Sequence, residues 1–290
     1  MKLATFQLDG RRRVGVVSSD GRSVQPLALD AAAAQRGVLS LVELLSSGGA
    51  LPPADGKAVP VDTVRLEAPL PVPLRNLWCV GRNYHAHARE LAKSVFKDNA
   101  AKADEWPIVF TKVPECVVGP HDDVTMPGAE VSTHIDYEAE LTIVIGKGGK
   151  NIPRAEALGH IFGYTIVNDV TARDVQIRHQ QWDLGKSFDT FCPMGPWVVT
   201  ADELDGTRTR VRCWVNGELR QDAPIEHMIF DIPTLIETVS RGITLYPGDL
   251  IATGTPAGVG MGMNPPSWLK AGDVVRIDVD GLGRIENRFA

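Results

Sequence analysis

The sequence predicts a mainly β fold with a few covering helices, arranged as a mixed β-roll or β-sandwich and preceded by a small α+β domain. Segments with the apolar or alternating pattern of strands far outnumber segments with helical periodicity. Neither a regular alternation of strands and helices nor an internal repeat is present. A stretch rich in glycine and proline, residues 48–60, is typical of a linker. We therefore expect two domains, residues 1–69 and residues 70–290.

The first domain begins with three short strand-like segments in residues 2–29. Two Asp-Gly pairs separate them, and this dipeptide is typical of tight hairpin turns. A helix is predicted near residues 40–47, ahead of the linker. Strands and one helix in so short a stretch indicate a small α+β unit.

Strand patterns dominate the second domain. The strand-like segments are "LWCVG", "WPIVFTKV", "ELTIVIG", "IFGYTIVND", "PWVVT", "RVRCWVNGELR", "GDLIATG" and "DVVRIDVDG". Helical patterns are "NYHAHARELAKS", "PRAEALGH" and "DIPTLIETVSRG". This balance favours a sheet-based core with helices covering it.

Composition narrows the class of protein. A net charge of -6, with both signs mixed along the chain, argues against nucleic acid as the main partner. The four cysteines are far apart and form no CxxC pair or zinc spacing, so free thiols in a reducing cytosol are the simplest interpretation. The first residues alternate and contain an arginine run, unlike a signal peptide or a membrane span. We expect a cytoplasmic protein with no membrane partner.

Two glutamates, Glu138 and Glu140, stand in a segment that otherwise resembles a buried strand. Because side chains alternate along a strand, both carboxylates share a face and repel unless a positive group or solvent intervenes. A third candidate, Asp169, follows the apolar strand of residues 161–168. Three carboxylates suit Mg²⁺, Mn²⁺ or Ca²⁺. The alternatives are a solvated face of an edge strand for the glutamates, and capping of the following turn for Asp169.

A second pattern lies in "NYHAHARE", where His87 and Glu90 are spaced i, i+3 on a predicted helix. This spacing puts them on one helical face, and a carboxylate beside an imidazole fixes its tautomer and raises its basicity. The pair has the make-up of a general base. The alternative is an ordinary pair that stabilises a short helix. His85 has no matching partner and is interpreted as a surface residue.

Seven segments, in order, resemble the fumarylacetoacetate hydrolase family over about residues 70 to 285. They are "GRNYHAHARE", "DYEAELTIVIG", "NDVTARDVQ", "GKSFDTFCPMGPWV", "VNGELRQ", "IPTLIETVS" and "PGDLIATGTPAGVG". The resemblance implies the β-roll or β-sandwich of that family's C-terminal domain. It implies that Glu138, Glu140 and Asp169 hold a metal, usually Mg²⁺ and sometimes Mn²⁺ or Ca²⁺. It also implies that His87 and Glu90 lie on a mobile lid, which would continue from Leu91 to Trp106, and activate the attacking water.

Four further residues take roles through the same resemblance. Lys186 matches an active-site lysine that stabilises negative charge or delivers a proton. Arg173 and Gln176 match positions that face the carboxylate and keto oxygens of the substrate, and Thr255 matches a hydroxyl contact to the same carboxylate. Each has a plainer alternative, namely a solvated lysine, pairing of Arg173 with Asp174 or another nearby acid, and an ordinary loop.

The implied activity is divalent-metal-dependent hydrolysis of a C–C bond in an acylpyruvate, a fumarylpyruvate or a related 2,4-diketo acid, since His87 and Glu90 would activate water. The alternative is a decarboxylase, isomerase or hydratase acting on oxaloacetate-like acids or on 2-oxo acids from aromatic catabolism. A protein that keeps the fold without activity is a third alternative, which the intact residue set argues against. The resemblance further implies a homodimer.

Overall fold

The computed structural model describes residues 1–92, 105–178 and 181–290. The expected mainly β fold with some helices is confirmed. The strands, β1 to β18, are Lys2–Leu8, Arg11–Val17, Ser23–Pro26, Val59–Pro60, Arg65–Leu66, Leu77–Gly81, Ile108–Lys112, Val117–Val118, Ile135–Asp136, Ala139–Ile145, Ile161–Asn168, Thr171–Ala172, Cys192–Thr200, Arg210–Val215, Glu218–Pro224, Leu250–Ala252, Val274–Val279 and Gly283–Arg288. Residues 93–104 of the expected lid lie outside the described residues.

Short helices cover and connect these strands. The α-helices, α1 to α6, are Ala31–Gln35, Val38–Ser46, His85–Ala92, Arg173–Arg178, Asp183–Lys186 and Ile232–Ser240. Short 3₁₀ helices are Val61–Thr63, Pro114–Cys116, Arg154–His160, Gly206–Arg208, Ile225–His227 and Gly260–Gly262. In the described parts of the chain, no helix has the length and apolar character needed to cross a membrane.

Most strands belong to one large mixed sheet. Its order is β4-β3-β2-β1-β13-β11-β10-β16-β6-β7, with β5 paired to β1 and β8 paired to β13. A second sheet has the order β15-β14-β17-β18, and β9 pairs with β12 separately. The pairs β6–β16 and β8–β13 are parallel and the others antiparallel. The sheet is therefore mixed, as the sequence predicted.

The N-terminal strands join the large sheet directly. In β1, Lys2 and Leu3 pair with Val199 and Val198 of β13. Leu3 and Val38 also belong to the main hydrophobic cluster, together with core residues of β10 and β13. The division into two domains near residue 70 stays a prediction, and the sheet itself continues across that point.

Several elements differ from the sequence prediction. The segment 153–160, predicted as an ordinary helix, contains a 3₁₀ helix, Arg154–His160. The segment "RVRCWVNGELR" is a hairpin, because Asn216 and Gly217 have φ of 52° and 81°, as a tight hairpin turn requires. Helices α1, α4 and α5 and the last strand were not predicted. They are short, so their periodicity is too brief to detect from the sequence.

Candidate metal centre and active site

The register between β10 and β11 brings the three predicted carboxylates together. Ala139 pairs with Asn168, so Glu138 and Asp169 flank the same end of the antiparallel pair. The Asp169 N–H donates to the Glu138 carbonyl oxygen at 2.9 Å, which fixes this end of the ladder. One carboxylate oxygen from each of Glu138, Glu140 and Asp169 lies within 4.8 Å of the other two.

The cluster is closed to solvent. Glu138, Glu140 and Asp169 are 5%, 1% and 0% exposed, so the interpretation as a solvated strand face is wrong. Strand β10 lies between β11 and β16 inside the large sheet rather than at its edge. Buried carboxylates persist only where cations, hydrogen bonds or a metal compensate for the lost hydration.

Protein cations surround part of the cluster. Arg173 lies 2.7 Å from Glu138 Oε1, and the Lys186 ammonium lies 2.6 Å from Glu138 Oε2 and 2.7 Å from Asp169 Oδ2. Burial raises the pKa of Glu138, but the Arg173 and Lys186 charges outweigh it and hold that pKa below its ordinary value. Glu138 is therefore held as a carboxylate at neutral pH, the form that a metal ligand requires.

Glu140 has a different environment. Its Oε2 accepts a hydrogen bond from the Gly254 N–H at 2.9 Å, and Gly254 has a φ of 101°, a conformation that favours glycine. Burial, together with the Asp169 and Glu138 charges, raises the pKa of Glu140 well above its ordinary value. A hard divalent cation is the kind of group that offsets such repulsion. The three oxygen donors fit Mg²⁺, Mn²⁺ or Ca²⁺ and fit softer metals poorly.

The predicted His87–Glu90 pair forms on α3. His87 Nδ1 lies 3.1 Å from Glu90 Oε2, and the histidine is 2% exposed. Glu90 Oε1 also accepts a hydrogen bond from the Gly258 N–H at 3.0 Å, which joins the helix to the loop after β16. The Glu90 carboxylate therefore orients the His87 imidazole and is itself held by a backbone N–H group. An ordinary i, i+3 pair on a helix surface needs no such third partner.

Arg173 pairs with acids other than its neighbour Asp174. It donates to Asp136 Oδ2 at 2.9 Å and to Gln176 Oε1 at 3.2 Å, whereas Asp174 accepts a hydrogen bond from Ser132. Asp136 also accepts hydrogen bonds from the backbone N–H groups of residues 260 and 261. Arg173 is thus fixed by carboxylates on both sides of its guanidinium.

Thr255 is held by backbone and side chain together. Its hydroxyl donates to the Ala139 carbonyl oxygen at 3.0 Å and accepts from Gln221 at 2.8 Å. It faces the pocket that the other site residues share. That pocket is lined by Val80, Gly81, Arg82, His87, Phe110, Glu138, Glu140, Arg173, Gln176, Trp182, Lys186 and Thr255.

The structure therefore brings all nine predicted site residues together. Seven line the pocket, Asp169 completes the acidic cluster and Glu90 supports His87 from behind. Phe110 and Trp182, in edge-to-face contact at 5.2 Å, add an aromatic wall, and the Lys186 ammonium lies 4.9 Å from the Phe110 ring centre. His85 is exposed, as expected.

Two residues of this centre, Asp136 and Lys112, were not predicted from the sequence. Asp136 precedes the acidic pair and carries Arg173. Lys112 is fully buried on β7, with its ammonium 2.9 Å from Asp169 Oδ1. Burial lowers the pKa of Lys112, but the Asp169 charge raises it above its ordinary value. A signal was present, because the alternation in β7 puts Lys112 on the same side as the buried Phe110.

A mainly β fold with a buried acidic cluster that can hold a divalent metal, beside a pocket of convergent polar groups, defines a class of enzymes that act on small molecules. The chain belongs to the fumarylacetoacetate hydrolase family. The family profile described as fumarylacetoacetate (FAA) hydrolase C-terminal matches residues 76–290.

Three similar proteins illustrate the family. The oxaloacetate tautomerase YisK of Bacillus subtilis (strain 168) is 49% identical over 227 residues, 78% of this chain and 73% of that protein. A solved fumarylacetoacetate hydrolase from Exiguobacterium antarcticum has a TM-score of 0.84 and 39% identity, covering 100% of this chain and 99% of the other. A 5-carboxymethyl-2-hydroxymuconate delta-isomerase from Mycobacterium smegmatis has a TM-score of 0.78 and 32% identity, covering 100% and 99%. Members of the family are therefore enzymes with more than one reaction.

Proposed function

We propose that the protein is a divalent-metal-dependent enzyme that forms the enol of a small 2-oxo acid, and that its main reaction is keto–enol tautomerisation of oxaloacetate or a close analogue. The observation that carries this proposal is the buried cluster of Glu138, Glu140 and Asp169, which opens on a pocket containing His87 and Lys186. The name of the Bacillus relative, at 49% identity, supports the choice of reaction.

The metal would be held by the three carboxylates. When bound, it would supply Lewis-acid stabilisation of the negative charge that builds up when a 2-oxo acid is enolised. Mg²⁺ is the cation we assign, with Mn²⁺ or Ca²⁺ as substitutes, because all the donors are hard oxygens. The proposal includes a cytoplasmic homodimer.

The chain's own side chains would move the protons. His87, whose Nδ1 lies 3.1 Å from Glu90, would take a proton from the carbon next to the keto group of the substrate. Lys186 would stabilise the enolate oxygen and give it a proton. Arg173, with Gln176 and Thr255 beside it, would orient the substrate carboxylate in the pocket. No bond between heavy atoms breaks in this reaction.

C–C hydrolysis of an acylpyruvate or fumarylpyruvate is the second candidate function. The His87–Glu90 pair favours it over decarboxylation, because hydrolysis needs a base that activates water and decarboxylation does not. The solved fumarylacetoacetate hydrolase with TM-score 0.84 adds support. The same pair serves either candidate, so substrate choice must be measured.

A direct experiment compares the reactions in one buffer. The ultraviolet absorbance of enol-oxaloacetate is followed with Mg²⁺ alone, with Mg²⁺ plus the protein, and with Mg²⁺ plus Glu138→Gln as the matched inactive control. We expect the wild-type protein to accelerate enol loss above the metal alone and to exchange solvent deuterium into the carbon next to the keto group.

Product analysis separates the alternatives. Pyruvate formed from oxaloacetate would identify a decarboxylase. Release of a carboxylic acid and pyruvate from acetylpyruvate, with ¹⁸O from water in the acid, would identify a hydrolase. A wild-type protein that accelerates enol loss no more than Mg²⁺ alone does would rule out the tautomerase assignment.

A further inference from the structure

Lys112 lies behind the carboxylate cluster and does not line the pocket. We propose that Lys112 is a positioning residue that fixes the orientation of Asp169 and the backbone that carries Lys186. The proposal rests on the metal-binding role of Asp169 proposed above. In this role Lys112 does not touch the substrate and acts only through Asp169 and Lys186.

The Lys112 ammonium meets three oxygens from two different segments. It forms an ion pair with Asp169 Oδ1 at 2.9 Å, and it donates to the Val170 carbonyl oxygen at 3.2 Å and to the Lys186 carbonyl oxygen. The contact with Asp169 Oδ1 is an ion pair and not a hydrogen bond, since that oxygen has no hydrogen-bond partner within the described residues. Lys112 is 0% exposed, so no bulk water replaces any of them.

These contacts divide the two oxygens of Asp169 between two tasks. Oδ1 lies 2.9 Å from the Lys112 ammonium, whereas Oδ2 lies 2.7 Å from the Lys186 ammonium, which also contacts Glu138 of the cluster. A ligand carboxylate whose outer oxygen is held keeps its inner oxygen aimed at the metal position. Lys112 therefore fixes the orientation of the Asp169 carboxylate. Through its contact with the Lys186 carbonyl oxygen, it also fixes the backbone from which the Lys186 side chain extends.

The strand that carries Lys112 is itself fixed to the helix that carries Lys186. On one side, the Thr111 N–H donates to Asp183 Oδ1 at 3.1 Å, and on the other, the Val113 N–H donates to the Ser187 hydroxyl at 3.2 Å. Edge amides of β7 are thus paired by side chains at both ends of α5. Because these hydrogen bonds hold β7 and α5 together, a displacement of Lys112 also displaces the backbone of Lys186.

A simpler role for Lys112 would be neutralisation of charge, and the two roles predict effects of opposite sign. If Lys112 only contributes positive charge, its removal lowers the local positive potential and strengthens binding of a divalent cation. If Lys112 positions Asp169, its removal weakens binding although the local charge becomes more favourable. The direction of the change in metal affinity therefore decides between them.

The experiment measures Mn²⁺ binding to the full-length protein by electron paramagnetic resonance and calorimetry. We expect Lys112→Met to bind Mn²⁺ about 10- to 100-fold more weakly than wild type, the usual effect of losing a partner of a metal ligand. In steady-state assays, kcat should fall by more than KM rises, because Lys186 loses its anchor. Arg75→Met is the matched control, since it breaks the Arg75–Asp249 ion pair outside the pocket and should leave Mn²⁺ affinity unchanged.

Each outcome has a definite meaning. Unchanged or tighter Mn²⁺ binding by Lys112→Met overturns the positioning role. If that variant does not fold, Lys112→Gln replaces it under the same criterion, with a smaller loss expected because the amide keeps two N–H donors. A wild-type protein that binds no Mn²⁺ overturns the metal site and this role together. A wild-type protein that binds Mn²⁺ but does not tautomerise oxaloacetate overturns only the proposed reaction.

Discussion

Two regions of the molecule contain closely spaced charges and treat them in opposite ways. On the four-stranded sheet of β15, β14, β17 and β18, arginine and aspartate pair on a solvated surface, as in Arg212–Asp280 at 2.8 Å. These two side chains are 31% and 54% exposed. In the carboxylate cluster, by contrast, Asp169 and Lys186 are 0% and 1% exposed at 2.7 Å. The chemical groups are similar, and burial is the difference.

Burial changes what the charges can mean for the protein. Exposed pairs contribute about 0–1 kcal/mol, because water screens them and side-chain entropy opposes them. Buried charges lose their hydration, so they remain only where partners compensate, and stability alone seldom explains them. The exposed arginine–aspartate pairs of the four-stranded sheet can therefore be removed with little effect on stability, whereas the buried carboxylate cluster should be sensitive to every substitution.

The largest effect should follow from removing a carboxylate of the cluster. Glu138→Gln, Glu140→Gln or Asp169→Asn should abolish turnover and Mn²⁺ binding, because each removes one of three hard oxygen donors. Glu140→Gln should also raise the melting temperature of the EDTA-treated protein by relieving repulsion. The matched control is Asp222→Asn on the surface sheet. Full activity of the wild-type protein after exhaustive EDTA treatment would contradict the metal requirement.

Loss of the buried lysine should come next. Lys186→Met keeps most of the side-chain bulk and removes the charge that lies 2.6 Å from Glu138. We expect kcat to fall by about 100-fold or more with a smaller change in KM, because the charge acts on the enolate as it forms. Steady-state kinetics checks this, with the exposed Lys147→Met as control. A change in KM alone would make Lys186 a substrate-binding residue.

The histidine should affect catalysis without affecting the metal. His87→Ala should lower kcat by about 10²- to 10⁴-fold, the usual contribution of a positioned general base. Mn²⁺ affinity should stay unchanged, because His87 is not among the three carboxylates. The exposed neighbour provides the control variant, His85→Ala. Comparable turnover by wild type and His87→Ala on both oxaloacetate and acetylpyruvate would remove His87 from the mechanism.

The smallest effect is expected from breaking the exposed Arg212–Asp280 ion pair. Arg212→Ala should change the free energy of unfolding by less than about 0.5 kcal/mol and leave turnover intact. Urea denaturation of the two single variants and the double variant at positions 212 and 280 measures the coupling energy. A coupling well above 1 kcal/mol would mean that the contrast between the two regions is overstated.

Local signals in the sequence indicated the carboxylate cluster, and the family resemblance decided between it and a solvated strand face. Alternation along one strand puts Glu138 and Glu140 on one face, and the end of an apolar strand marks Asp169. The i, i+3 spacing likewise predicted the contact of His87 and Glu90. The mainly β fold was predicted from the many strand patterns. The shortest helices were not predicted, because they are only four to six residues long.

The missed contacts depend on pairing between distant segments. Arg173 reaches Asp136 because β9 and β12 pair with Thr171 opposite Asp136, a register that no local pattern predicts. Asp174, one of the acids named as an alternative partner, is adjacent in a helix, where neighbouring side chains do not face each other. Lys112 was passed over because lysines are usually solvated, although its place in the alternation of β7 indicated burial.

The pairing of β1 with β13 has a consequence for how the chain folds during synthesis. The hairpin of β1 and β2 can form as soon as it is made, and β5 then pairs with Phe6 and Gln7, but Lys2 and Leu3 have their β13 partners only after Val199 has been synthesised. Until then the start of β1 offers unpaired N–H and C=O groups to any other strand. Nascent chains on crowded ribosomes are therefore at risk of pairing through β1, and completion of the large sheet is a late, non-local step.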